Sequence, residues 1–171
     1  NKLNIEKKLL KISNKKFKPI MLRFGTIFGS SPSIRFDLVL NMFCAMLHKK
    51  NKLELNSDGK ANRPHLFIDD ACKAIEISIG YKNTKPLILN VGFNNFNKKI
   101  IQMAFLFQSI KKKTKIEFMY QNNKKSLFKD SLVNKHDKRD YVVNFDKIKK
   151  IYPKFKQTSS LKDIIRIFLK K

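Results

Sequence analysis

The stretch Leu22-Arg23-Phe24-Gly25-Thr26-Ile27-Phe28-Gly29 decides how this chain is read. Pro19 stands just ahead of it, and a proline ring fixes φ and removes an amide donor, so no helix runs through that point. Ile20 to Phe24 is therefore predicted to be a strand, running out through Gly25 towards Gly29. A Ser/Pro loop follows (Ser30, Ser31, Pro32, Ser33) and leads into a helix expected at about 35–49.

Working outward, residues 1–13 read as an amphipathic helix. Leu3, Leu9, Leu10 and Ile12 lie on one side, and Lys7, Lys8 and Lys11 on the other. It has no N-cap signal and opens on Asn1 rather than Met, so the sequence is expected to begin within an element, as a fragment. Downstream, short strands are expected at 53–55 and 65–68, with Asp69-Asp70 capping a helix to about Ile79. Lys85-Pro86 introduces a strand at 87–91; a helix at about 97–111 and a strand at 116–120 follow. Residues 121–138 read as a polar loop, 141–143 as a strand, and 145–151 and 160–169 as two short helices. Strands alternating with helices place the chain in the α/β class. No internal repeat is present.

Length and composition bound the function. A chain of 171 residues is one domain's worth and buries about two thirds of its unfolded surface. Its apolar runs are broken by Lys or Asn well short of the roughly 18 residues of a membrane span. No signal-peptide pattern appears, and Cys44 and Cys72 read as two buried thiols of a cytoplasmic protein rather than a disulfide. The net charge of +25 suggests nucleic acid when taken alone. However, the basic residues are spread along the whole chain, and Lys, Asn, Ile and Phe are all abundant together, which a base-composition bias explains at once. Among the 38 basic residues only five are Arg: 23, 35, 63, 139 and 166. A planar guanidinium grips phosphate or carboxylate in a rigid fork that an ammonium cannot imitate, so these positions stand out. His48, His65 and His136 are scattered without metal-ligand spacing, and no metal site is expected.

Five segments, in order, resemble the second half of extended short-chain dehydrogenases, the NAD-dependent sugar-nucleotide epimerases and dehydratases. Lys2-Leu-Asn-Ile-Glu6 is similar to the stretch beginning at the Lys of the family's Tyr-x-x-x-Lys. Leu22 to Gly29 resembles its L-R-x-x-x-x-Y-G segment. Asp58-Gly59, Arg63-Pro64 and Phe67-Ile-Asp-Asp70-Ala resemble G-x-x-x-R followed by H-V-x-D-x-A. Leu89-Asn-Val-Gly92 is similar to F-N-V-G. His136-Asp-Lys-Arg139-Asp-Tyr141, then Asp146-Lys-Ile148, resemble D-x-R-x-Y and a D-x-x-K-I helix start.

The resemblance implies the last part of a Rossmann-type parallel sheet plus a small α/β substrate-binding lobe, with residues 1–171 as the C-terminal part of such a domain. The glycine-rich cofactor loop of that family is not found among the five glycines. Lys2 would be catalytic, holding the nicotinamide ribose of NAD or NADP and supporting a tyrosine base expected four residues before it. Phe24, Gly25 and Thr26 would border the cofactor. Thr26, where many relatives carry Asn, would also touch substrate, together with Asn41. Arg63 and Arg139 would grip the diphosphate of a nucleoside-diphosphate sugar. Asp70 would cap or orient a helix. A homodimer is expected by analogy with the family, and these 171 residues alone are expected to be inactive. Two other readings stay open: a basic nucleic-acid-binding module, and a catalytically dead relative kept for binding.

Overall fold

The computed structural model describes residues 1–119 and 139–170; the polar loop expected at 121–138 lies outside the described residues. Helix α1 (Lys2–Ile12) leads through an Asn14 turn to strand β1 (Ile20–Phe24). β1 pairs in parallel with β5 (Leu87–Val91), in the register Ile20↔Leu87 to Phe24↔Val91. Parallel neighbours need a long crossover, and everything between these two strands supplies it.

At Gly25 the chain leaves one sheet for the next. Its amide still donates to the Val91 carbonyl at 3.1 Å, closing the β1–β5 ladder. A Cβ there would lie 3.0 Å from the Pro64 carbonyl oxygen, so only glycine lets the two sheets approach this closely. β2 (Thr26–Phe28) then runs parallel to β4 (Asn62–Phe67), pairing Thr26 with His65 and Phe28 with Phe67. β4 carries an antiparallel strand on its other side, β6 (Asn97–Lys99). A third, parallel pair joins β3 (Lys52–Leu55) to β7 (Lys115–Phe118).

Helices fill the gaps between these sheets. α2 (Val39–Lys49) buries Leu40, Phe43, Met46 and Leu47, spaced three and four apart. α3 (Ile68–Gly80) crosses from β4 back to β5 and buries Ala71 and Ala74. α4 (Ile100–Ile110), α5 (Asp146–Ile151) and α6 (Leu161–Lys170) follow, with α6 packed on α2 and α4. The core is one cluster that includes Phe28, Leu53, Leu66, Leu89, Phe107 and Ile165. Phe43 meets Phe107 edge-on at 5.6 Å, and Phe93 stacks on Phe155 at 4.9 Å.

The mixed α/β architecture with parallel sheets agrees with the class expected from the sequence. Several local expectations are corrected. The helix expected from about 35 starts at Val39, because Arg35 turns back onto Asp37 through two bonds and Leu38 is extended. Asp69 and Asp70 lie inside the first turn of α3; Phe67 is the N-cap, with no side-chain cap bond. The segment expected to open a helix at 97 is the strand β6, preceded by a 3-10 turn at Asn94–Phe96. Residues 141–143 form no strand: the Val143 amide donates to the Asn97 side chain at 3.1 Å instead of to a ladder. Both cysteines are free, as expected, but only Cys44 is buried; Cys72 is exposed.

Candidate functional site

A cleft of about 660 Å³ opens where β1 ends and β2 begins, with α1 on one side and the 29–38 loop and α2 on the other. Ligands of open α/β sheets bind at the carboxyl ends of their strands, which is where this cleft lies relative to β1. Its volume falls within the range of about 300–1,000 Å³ usual for small-molecule sites.

Five of the seven residues expected to bind cofactor or substrate line this one cleft: Lys2, Phe24, Gly25, Thr26 and Asn41. Lys2, in the first turn of α1, presents an exposed ammonium group. Phe24 to Thr26 contribute the backbone at the sheet-to-sheet crossing, with the Thr26 side chain half-buried. Asn41 forms part of the cleft wall and is 3% exposed. Its Oδ1 accepts the Gly29 amide at 3.1 Å, and its Nδ2 donates to the Arg35 carbonyl at 3.0 Å. One buried amide thereby ties both ends of the loop at the cleft mouth. The loop can close so tightly because Gly29 sits at φ 132°, a region side chains disfavour, and a Cβ there would come 2.8 Å from Ile68.

Arg63 and Arg139 are brought to each other, but neither lines this cleft. Arg63 is 7% exposed; its Nη1 donates to the Asn62 carbonyl at 2.7 Å and to the Arg139 carbonyl. Its guanidinium also lies 5.3 Å from the centre of the Tyr141 ring, a cation–π contact. Asp140 closes the junction, accepting from the Asn62 amide at 2.8 Å and from its side chain at 3.0 Å. These bonds hold the Asp140 carboxyl below its usual range. Residues 139–141 are thus fastened to Asn62 and Arg63 at the start of β4.

Two further residues line the cleft: Glu6, which was not expected in the site, and Arg23, which stood out as an arginine but was given no role there. Arg23 Nε donates to Glu6 Oε1 at 2.9 Å, and its Nη2 to Oε2. The hydrogen bond from Arg23 is the main reason Glu6 titrates below the ordinary carboxylate range. A signal was available: Lys2 and Glu6 are four apart on one helix, so they share a face. What no spacing could show was that the face looks onto β1. Arg35 lines the cleft as well, held by Asp37 at 3.1 and 2.5 Å, and this pairing lowers the Asp37 pKa. Among the described residues no three His, Cys, Asp or Glu side chains come together in a way that could hold a metal. No helix among them is long and apolar enough to cross a membrane.

The fold is shared with known enzymes. The chain superposes on a dTDP-glucose 4,6-dehydratase from Bacillus anthracis, solved in complex with NAD, with a TM-score of 0.68 and 20% identity, covering 91% of this chain and 44% of that one. A UDP-glucuronic acid 4-epimerase from Bacillus cereus, in complex with UDP-glucuronic acid and NAD, gives 0.66 and 20%, covering 88% and 44%. An NAD-dependent NDP-hexosamine 5,6-dehydratase of tunicamycin biosynthesis gives 0.62 and 16%, covering 87% and 43%. The chain therefore spans under half the length of these solved structures. Among curated proteins nothing matches. At the level of sequence, residues 1–92, which carry every cleft residue named above, match the model of the NAD dependent epimerase/dehydratase family. That match takes in more than half of the chain, from the Lys2 helix through the crossing at Gly25 to the end of β5, and the chain belongs to this family.

Proposed function

We propose that this protein is an NAD(P)-dependent epimerase or dehydratase of a nucleoside-diphosphate sugar, with residues 1–171 serving as the C-terminal, substrate-binding part of the enzyme. The observation that carries this reading is the convergence of Lys2, Phe24, Gly25, Thr26 and Asn41 on one cleft at the end of β1. That donor set fits a dinucleotide's nicotinamide end. It has an ammonium donor at one wall, a backbone turn without a side chain at Gly25, and a hydroxyl at Thr26, with no cluster of carboxylates to repel a phosphate. NAD(P), when bound here, would supply the hydride acceptor for oxidation of the sugar ring and the hydride donor for its reduction.

Each residue of the chain then has a stated task. Lys2 holds the ribose hydroxyls of the cofactor and keeps a positive charge beside the base that removes the sugar hydroxyl proton. Thr26 offers a hydroxyl to the sugar where many relatives offer an amide. Asn41, with both ends of its side chain already bonded to backbone, shapes the rim that faces the sugar. Arg63, on β4, and Arg139, fastened beside it, supply cationic groups for the diphosphate. The lack of a side chain at Gly25 keeps β4 close to the cleft floor.

The same reading assigns the protein to the cytoplasm, where free thiols such as Cys44 and Cys72 persist. It also assigns a homodimer, supported by the exposed apolar residues Leu3, Ile5 and Ile12 of α1. The full-length protein should be purified, supplied with NAD or NADP, and given a panel of UDP- and dTDP-sugars. Products would be followed by NMR, with substrate deuterated at the oxidised carbon. Turnover with transfer or retention of that deuterium supports the proposal. No turnover of any nucleotide sugar, or full turnover by Lys2→Met, would sink it.

A further inference from the structure

The helix that carries Lys2 is tied to the sheet at one point. None of the eleven residues of α1 is buried, and Leu3, Ile5, Leu10 and Ile12 face outward. Among the described residues, the Glu6–Arg23 pair is the only hydrogen-bonded or ionic link from α1 to another element. Within one protomer no residue of α1 reaches the core, so the seat of α1 on its own sheet depends on what that one link enforces.

The link is a two-point one. Arg23 presents Nε and Nη2 to the two oxygens of Glu6, and parallel bonds between two planar groups fix rotation as well as distance. A lysine at 23 could supply the charge but not the second constraint. Glu6 is one helical turn after Lys2, about 6 Å along the axis and on the same face. Arg23 belongs to β1 in register with Asn90, and the next three residues are Phe24, Gly25 and Thr26. Lys2, Glu6 and Arg23 all line the cleft. The chain of constraint therefore runs from the sheet through Arg23 and Glu6 to Lys2.

We propose that Glu6 and Arg23 are positioning residues that set Lys2 against the Phe24–Thr26 backbone, an inference that rests on the nucleotide-sugar reading above. Exposed ion pairs add little to global stability. The effect of this pair lies in where the Lys2 ammonium stands, and it disappears when either half of the fork is removed.

The test uses the full-length protein and four variants: Arg23→Gln, Arg23→Lys, Glu6→Gln, and the charge swap Glu6→Arg with Arg23→Glu. Hydrogen exchange of α1 amides should rise about tenfold or more in Arg23→Gln, while β5 amides keep their wild-type protection. The value of kcat should fall roughly 10- to 100-fold with KM within about threefold, since a misplaced group loses transition-state contacts first. Arg23→Lys should recover only part of the loss, and the swap should recover about tenfold relative to Arg23→Gln. In a Lys2→Met background, Arg23→Gln should cost less than about twofold more, because the pair acts through Lys2. Additive losses in that background, or unchanged α1 exchange in Arg23→Gln, overturn the proposal. A wild-type protein that turns over no nucleotide sugar, but whose α1 loosens on Arg23→Gln, retires the functional reading and leaves the anchor standing.

Discussion

Asp70 and Thr158 meet across 88 positions of sequence. One carboxylate oxygen of Asp70 accepts both the Thr158 amide, at 2.9 Å, and the Thr158 hydroxyl, at 2.5 Å. The same hydroxyl receives the ammonium of Lys73 at 3.0 Å. Asp70 is fully buried in the first turn of α3, so this knot fastens the approach to α6 onto the crossover between β4 and β5.

Removing the acceptor takes a part-buried bond from the Thr158 amide and hydroxyl, and because Thr158 is exposed, water can replace part of what is lost. Asp70→Ala is therefore expected to lower stability by about 1–2 kcal/mol, read by chemical denaturation. Asp70→Asn keeps a carbonyl oxygen for Thr158 and removes a buried charge, so its loss should stay under about 1 kcal/mol. Burial raises the Asp70 pKa despite the Thr158 bonds. Its own titration thus adds stability below the ordinary aspartate value, and that gain is lost as pH rises through the folded value. A large loss in the Asn variant would show that the charge, not the acceptor, holds the knot.

His65 gives the opposite pH dependence. It is fully buried in β4, edge-on to Phe28 at 6.4 Å, and neither ring nitrogen has a hydrogen-bond partner among the described residues. Burial first, and the nearby Arg63 charge second, push its pKa from 6.5 down to about 4. The folded protein keeps His65 neutral where the unfolded chain has already taken a proton. Stability is consequently whole above pH 6.5 and declines as pH falls from there to about 4, by about 3 kcal/mol in all. The carboxylates of Glu6, Asp37, Asp140, Asp146 and Asp163 have lowered values and lose their contribution only as pH falls through the ordinary carboxylate range, at the bottom of that window, while Asp70, whose value is raised, acts there in the opposite sense. Denaturation midpoints at pH 7.5, 6, 5 and 4.5 measure the decline, and His65→Leu should flatten it. A slope that is the same in His65→Leu as in the wild type would mean that His65 does not enter the fold as a neutral ring.

How much of this was legible beforehand depends on where each segment finds its hydrogen bonds. β1 was readable because Pro19 and Gly25 punctuate an apolar run whose amides pair with another strand. α1 was readable from its period, although the period could not say that its apolar side stays exposed. Residues 94–99 and 141–145 were not readable, because Asn94 and Asn97 take over the backbone's role there. The Asn94 side chain accepts the Phe145 amide at 2.9 Å, and the Asn97 side chain joins both the amide and the carbonyl of Val143. Bonds of this kind leave no periodic trace. For the site, the residues between Lys2 and Asn41 could be gathered by likeness to a family. That Arg63 would be buried against Arg139 and Tyr141 instead of opening into the same cleft required the register of β4.

The Asn90-Val-Gly92 end of β5 offers a packing test. A Cβ on Gly92 would fall 2.6 Å from Cζ of Phe145 and 2.7 Å from its Cε1. Phe145 is 1% exposed, so its ring has no open side to move into. Gly92→Ala should cost about 1–3 kcal/mol as an overpacked core. Phe145→Leu alone should also destabilise, but the two together should be less than additive, because the leucine vacates the space the new methyl needs. Strict additivity in a double-mutant cycle would place the cost of Gly92→Ala in its backbone and not in the ring.

Arg63 separates the structural from the functional use of a guanidinium. Its Nη1 bonds two carbonyls, of Asn62 and Arg139, and its plane lies over Tyr141. Arg63→Lys keeps the charge but loses the fork and the flat face, so the ligand-free protein should lose about 1–3 kcal/mol of stability. If Arg63 also grips a diphosphate, KM for the nucleotide sugar should rise about tenfold or more under conditions where the variant is still folded. The same change should leave any affinity for nucleic acid nearly untouched, because phosphate-backbone binding counts charges and weakens steeply with salt. Stability loss without a change in KM would confine Arg63 to holding residues 139–141 on β4. A rise in KM without stability loss would mean that the carbonyl bonds are replaceable by a lysine and that the ligand alone needs the fork.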